Sequence, residues 1–153
     1  MPTPEERLQE LGVSLPAPAV PVAAYVPCVR TGSLVYVSGQ VPVLDGKPSH
    51  LGHLGDNVDP EDGRAAARTC AVNVLAALKA ELGELSRVRR VVKVTGFVAS
   101  TPDFTDHPKV INAASELFGD VFGDAGRHAR AAIGVVALPL GVPVEVEAIV
   151  EVA

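Results

Sequence analysis

The stretch His128-Ala-Arg-Ala-Ala-Ile-Gly-Val-Val-Ala-Leu-Pro-Leu-Gly-Val-Pro-Val-Glu-Val-Glu-Ala-Ile-Val-Glu-Val152 decides how the chain is read. From about Ala129 to Ala137 it is small and apolar. Pro139, Gly141 and Pro143 then interrupt it, and Val144 to Val152 follows with mostly alternating character. The pattern predicts two strands joined by a turn. Val144, Val146 and Ala148 make one apolar face, and Glu145 and Glu147 point together from the other, because side chains two apart on a strand share a face. If the two strands pair, Arg130 falls near the far end of the second strand or in a neighbouring layer. A guanidinium close to those carboxylates serves either as a structural ion pair or as half of a site that grips an anionic ligand.

Working outward, 153 residues make one domain with room for a core. Aromatics are 4% of the chain and Trp is absent, so that core is built from Val, Ala and Leu. A net charge of −5 argues against a phosphate-backbone partner, which needs clustered Lys and Arg. The one basic run, Arg87-Val-Arg-Arg-Val-Val-Lys93, reads as the solvated entrance of a strand. Cys28 and Cys70 lie among apolar neighbours as free thiols rather than a disulfide framework, which suits a reducing compartment. The polar opening Met1-Pro-Thr-Pro-Glu-Glu-Arg7 is unlike a secretory leader, and no apolar run has the length of a membrane span. The expected location is cytoplasmic.

Along the chain, Thr3, Pro4 and the acids after them predict a short helix ending at Gly12, followed by an extended connection through Pro16, Pro18 and Pro21. Residues 1–20 are thus a lead-in to a single domain spanning 1–153. Val22–Arg30 and Leu34–Val37 form a hairpin around Thr31-Gly32, and Ser38-Gly39-Gln40 ends it with a glycine that admits a ligand or another chain. Residues 41–59 are irregular. They carry His50, His53 and Asp56, whose spacing fits no strong metal pattern, so a loop containing histidines is the better reading. Asp59-Pro60-Glu61-Asp62 starts a helix that Gly83 ends; Val88–Ser100 is a buried strand; a second long helix runs from about Pro108 to Phe122. Hairpin, helix, strand, helix, hairpin is an α+β two-layer order, with a sheet of four or more strands and two helices packed on one face. Segments such as Val91-Val-Lys-Val94 and Ile133-Gly-Val-Val136 are apolar on both sides. The uncovered sheet face therefore predicts a symmetric oligomer.

With these elements in order, the chain resembles the RidA/YjgF (reactive intermediate/imine deaminase) family, as a divergent subgroup. The resemblance runs from about Tyr25 to the end. It is carried by Tyr25, Ser38-Gly39-Gln40-Val41-Pro42, the helix with Asn73, Val91-Val-Lys-Val-Thr-Gly-Phe-Val98, Asp103-Phe104, Val110-Ile-Asn112 with Phe118, Ala129-Arg130, Leu138-Pro139 and Glu145-Val-Glu-Ala-Ile149. It implies a chorismate-mutase-like fold with a mixed sheet, a homotrimeric barrel with clefts between subunits, and hydrolysis of 2-imino or enamine acids to 2-oxo acids and ammonia without metal or organic cofactor. It also implies roles: Arg130 binds the substrate carboxylate, Glu145 holds or activates the water, and Tyr25, Ser38, Gly39 and Asn112 line the cleft. Arginine suits its part because it offers a two-pronged, permanently charged donor.

Three departures separate the chain from that pattern. Ala132 stands where deaminating members commonly carry a cysteine, seven residues rather than about three separate Phe104 from Asn112, and the 41–59 loop is longer and bears histidines. The second and third suggest a different ligand or pocket rim. A non-catalytic trimer binding a small carboxylate or a protein through the same cleft is the alternative. Ribonuclease activity, attached to the family's name, finds no basic and aromatic surface here. Ser38 lacks the Gly-x-Ser-x-Gly setting of a nucleophile, and His128 reads as a loop histidine.

Overall fold

Thr3 caps the first helix, α1 (Pro4–Glu10): its hydroxyl accepts the Glu6 N–H while the Glu6 carboxylate accepts the Thr3 N–H. The coordinates are a computed structural model that describes residues 1–18 and 23–153. The expected connection through Pro21 and the expected strand start at Val22 lie outside those residues. Strands β1 (Cys28–Thr31) and β2 (Leu34–Gln40) form the expected hairpin, and β3 (Val43–Leu44) and β4 (Lys47–Pro48) make a small ribbon inside the irregular segment. Asp59 caps α2 (Pro60–Leu82) by accepting the Asp62 N–H at 2.8 Å. Then come β5 (Val88–Ala99), α3 (His107–Phe122), β6 (Ala129–Val135) and β7 (Val144–Val152).

The main sheet has the order β1-β2-β7-β5-β6 and is mixed: β5 and β6 run parallel, and the other neighbours are antiparallel. One expectation is corrected here. The strands on either side of Pro139, Gly141 and Pro143 do not pair with each other, because β5 lies between them and bonds to both. The parallel β5–β6 pair demands a crossover, and α3 supplies it. Pro139–Gly141 is one turn of 3-10 helix, with Leu140 at φ 63°, on the way across the end of β5.

Two long helices cover one sheet face, α2 over β2 and β7 and α3 over β5 and β6. The helix face of the sheet is a Val and Ala layer: Val35, Val94, Val98, Val144, Val146 and Val150 are at most 1% exposed. Opposing it, α2 presents Ala67, Cys70, Val74, Leu75 and Leu78, also at most 1% exposed. Small helix residues let α2 lie close to the sheet. Under α3 the same closeness comes from Gly96 of β5, where any Cβ would stand 2.5 Å from Ile111 Cδ1. Cys28 and Cys70 are both free thiols; burial, with the Glu81 charge added, pushes the Cys28 thiol up to about 11.

Among the described residues, the opposite sheet face carries no helix. Its register rows place Val29, Tyr36 and Ile149 side by side, and Phe97 beside Ile133 and Glu145. Val29, Tyr36 and Ile133 are 54%, 45% and 45% exposed. No helix among the described residues is long and apolar enough to cross a membrane.

Candidate functional site

Arg130 sits in β6, the edge strand, opposite Val94 of β5. Paired residues share a face, so its side chain leaves the sheet on the helix side, where α3 lies. There, Asn112 and Ser115 are three apart on α3 and therefore neighbours on its surface. Arg130 Nη1 donates to Asn112 Oδ1 at 2.8 Å and to Ser115 Oγ at 3.2 Å.

His128 extends this chain of bonds. Its Nδ1 is 2.7 Å from the Gly126 carbonyl, which can only accept, so Nδ1 carries the proton. Nε2 is then an acceptor and takes the Ser115 hydroxyl proton at 2.8 Å. That orientation turns a Ser115 lone pair toward Arg130. Burial lowers the His128 pKa; the Gly126 carbonyl opposes that shift, and the Arg130 charge adds to it. The Phe118 ring meets the imidazole edge to face, with centroids 6.0 Å apart. Arg130, His128 and Ser115 border an open cavity of about 340 Å³, together with Arg127, Gly119 and Gly126. Among the described residues, Arg130 makes no ion pair, and its Nε and Nη2 have no protein acceptor. The structural ion pair with Glu145 or Glu147 is thereby corrected.

Glu145 lies on the other side of the sheet. It alternates with Val144 and Val146, both fully buried against the helices, so its carboxylate leaves from the uncovered face. There it folds over Gly39: a Cβ at that position would overlap the Glu145 carboxylate. The backbone approach that Gly39 allows is thus used by a side chain of the same molecule. The register between β2 and β7 slips between Val37 and Gln40, a bulge that places Ser38 and Gly39 against β7. Ser38 ties that bulge to the preceding segment, its Oγ donating to the Val26 carbonyl at 2.7 Å. Burial, and then the Glu147 charge, raises the Glu145 carboxyl above its ordinary value. Tyr25 is 57% exposed and precedes β1 instead of lying within it.

The sequence-derived site therefore divides in two. Asn112 joins Arg130 on the helix face; Ser38 and Gly39 join Glu145 on the open face; Tyr25 belongs to neither within one chain. Ser115 was missed, although its place one helical turn after Asn112 was the available signal. His128 is a loop residue as expected, yet it is bound into the Arg130 network.

Another group was missed altogether. Ser100 Oγ is 3.0 Å from His107 Nε2, and His53 Nε2 donates to the Val136 carbonyl at 2.7 Å. These residues line a cavity of about 600 Å³ at the end of β6. His50 points elsewhere, 3.7 Å from Asp62, and among the described residues no three His, Cys, Asp or Glu side chains are placed to hold a metal ion.

Comparison with known proteins places this geometry in context. Residues 5–151 match the sequence model of the family described as "YjgF/chorismate mutase-like, putative endoribonuclease". The protein TCP17 of Trypanosoma cruzi is 49% identical over 145 residues, covering 94% of this chain and 91% of the relative. The 2-iminobutanoate/2-iminopropanoate deaminase of Salmonella typhimurium is 36% identical over 133 residues, covering 87% of this chain and 90% of the relative. Among solved structures, the protein Atu1372 of Agrobacterium tumefaciens, of unknown function, superposes with a TM-score of 0.93 at 50% identity, covering 98% and 92% of the two chains. TdcF of E. coli with bound serine superposes at only 0.64, with 27% identity and coverage of 90% and 94%.

Proposed function

The chain belongs to the YjgF/RidA family, and from that premise we propose that it hydrolyses 2-imino and enamine acids to 2-oxo acids and ammonia in a cleft between subunits of a homotrimer. One observation carries the reading. Arg130 is held in place through Nη1 by Asn112 and Ser115, while its remaining donors have no counter-anion among the described residues. A fixed, half-buried, unpaired guanidinium is suited to a carboxylate that arrives with the substrate. Kinship with a named imine deaminase supports the carbon centre next to that carboxylate as the point of attack.

In this reading Arg130 orients the iminium carbon, and Glu145 accepts a proton from the attacking water. Glu145 passes that proton to the nitrogen and takes the proton of the newly formed hydroxyl as the C–N bond breaks, so ammonia leaves and the carbonyl of a 2-oxo acid forms. A carboxyl whose pKa is raised by burial is well matched to giving and taking that proton. Since Glu145 and Arg130 leave opposite faces of one sheet, the acid that meets a given Arg130 comes from a neighbouring subunit. Gly39, Ser38 and Tyr25 accompany it. The exposed Val29, Tyr36 and Ile133 on the uncovered face support assembly.

Separation of Arg130 from Glu145 also favours a second reading: a trimer that binds small carboxylates without turning them over, Ala132 standing where deaminating members commonly have cysteine. Freshly generated 2-aminoacrylate separates the two. Ammonia and pyruvate release accelerated by the wild type, and lost in Arg130→Ala, supports deamination. A rate no faster than the spontaneous one, with pyruvate still binding in an Arg130-dependent way, leaves the binding protein.

A further inference from the structure

Two of the chain's departures from the family pattern meet at one place. His53 comes from the long 41–59 loop, and His107 from the lengthened segment between Phe104 and Asn112. Both line the 600 Å³ cavity at the C-terminal end of β6, with Ser100, Phe104 and Val136. The cavity lies along the strand that holds Arg130. Arg130, Ala132 and Gly134 share the helix-side face of β6, so along that strand the small Ala132 and Gly134 separate Arg130 from the His107 ring. A Cβ at Gly134 would come 2.5 Å from His107 Nε2 and 2.9 Å from Ser100 Oγ, so both side chains would have to shift to admit one.

We propose that this cavity is the distal half of the ligand site, taking a second carboxylate at the far end of a 2-imino (or 2-oxo) acid whose first carboxylate is held by Arg130. The inference rests on the Arg130 reading above and names its substrate class. The chemistry of the lining supports it. The His107 ring and the Ser100 hydroxyl form a donor–acceptor pair with hydrogen-bonding capacity left over: among the described residues His107 Nδ1 has no partner. Among the described residues no carboxylate lines the cavity; Asp103, nearby in sequence, accepts from Thr101 Oγ1 at 2.6 Å. His53 is held by its Nε2 bond to Val136, so the Nδ1 of its neutral ring is an acceptor; the donor offered to a carboxylate is His107 Nδ1, with Ser100 Oγ donating to His107 Nε2.

The spacing fits a short chain. His107 and Asn112 are five residues apart on α3, about 7.5 Å along a helix. Gly134 and Arg130 are four apart on β6, about 13 Å along a strand. An extended chain gains roughly 1.2 Å per bond, so the five carbon–carbon bonds of a six-carbon dicarboxylate separate its carboxyl carbons by about 6 Å. A hydrogen bond of about 2.9 Å at each end brings the reach between donors to roughly 12 Å. The span therefore fits a six-carbon dicarboxylate and exceeds a three-carbon acid, which would reach Arg130 alone.

The test is calorimetric binding of pyruvate and 2-oxoadipate to the assembled wild type and to Arg130→Ala, His107→Ala and Ser100→Ala, alongside deamination assays. Wild type is expected to bind 2-oxoadipate about tenfold more tightly than pyruvate. His107→Ala and Ser100→Ala should abolish that preference and leave the pyruvate affinity unchanged, while Arg130→Ala weakens both ligands. Equal affinities in the wild type, a preference that survives both distal variants, or no binding of either ligand overturns the proposal. Should the preference appear as described with no deamination of any imine, the distal site stands and the catalytic reading falls.

Discussion

Arg130 and Glu145 belong to strands separated only by β5, yet their side chains leave the sheet from opposite faces. Arg130 shares a register row with buried Val94, whereas Glu145 alternates with buried Val144 and Val146. No rotamer change brings the two together across a packed sheet. If both act on one substrate, they belong to different subunits. Arg130→Ala and Glu145→Gln should then each be inactive alone but complement each other when refolded together. Random mixing in a trimer puts a native arginine opposite a native glutamate in about a quarter of the clefts. Activity near that fraction of wild type is the expected result. None above the parent variants would place both residues in one subunit's site or remove Glu145 from catalysis.

Glu145 also makes a prediction about stability. Burial, followed by Glu147, raises its pKa above the ordinary 4.5. Between that value and the raised one, the folded chain binds more protons than the unfolded chain, so stability falls as pH rises through the window. Once pH exceeds the folded pKa, the cost of the charged form is fully present. Glu145→Gln should raise the melting temperature by a few degrees near pH 7 and by little near pH 4. A gain of the same size at both pH values would mean that charge burial is not the cause.

His128 carries the opposite sign. Its pKa lies below the ordinary 6.5, mainly through burial, so the unfolded chain takes up the proton first as pH falls. Stability contributed by the neutral ring is present above pH 6.5 and is lost as pH drops from there through the folded pKa. Protonation also removes the Nε2 lone pair that orients Ser115. His128→Gln, which keeps an acceptor for Ser115 and cannot titrate, should flatten the decline in melting temperature between pH 7 and pH 5. An unchanged slope would show that other groups dominate this range.

The sequence made the helices legible because their ends carry explicit chemistry: Thr3, Asp59 and Gly83 cap where expected. The β1–β2 hairpin was legible from its Gly-containing turn. Pairing of the last two strands was misread because Pro139, Gly141 and Pro143 look like a tight turn. What decides the pairing is β5, twelve residues long, whose two edges capture both neighbours. A strand, a helix and a strand in succession, Val88–Ala99, His107–Phe122 and Ala129–Val135, already contained the crossover. At the site, Arg130 and Asn112 lie eighteen residues apart in the chain and are joined by one hydrogen bond. The sheet face of Glu145 depends on register and on which side the helices pack, and neither is local. Ser100, His107 and His53 come from three separate segments and meet only in the folded chain.

Gly39 gives a way to move Glu145 without removing it. Its backbone is not in the left-handed region, so an alanine there meets no backbone strain, and the obstruction is the Glu145 carboxylate itself. That carboxylate is the far end of a flexible side chain and can swing aside. Gly39→Ala should therefore cost less than about 1 kcal/mol of stability, well under the 1–3 kcal/mol typical of overpacking a rigid core. If Glu145 handles the water, displacing it should lower kcat on 2-aminoacrylate by tenfold or more, an order-of-magnitude expectation for a misplaced general base. The affinity for pyruvate, set by Arg130 and Asn112, should stay within about twofold. Gly96→Ala is the contrast: its Cβ would meet three carbons of buried Ile111 between 2.5 and 2.7 Å. That variant should lose stability first, because a side chain packed between a helix and a sheet cannot swing away. Denaturation and single-turnover kinetics on the two glycine variants separate a displaced acid from a disturbed core. Full kcat in a folded Gly39→Ala protein would take Glu145 out of the reaction.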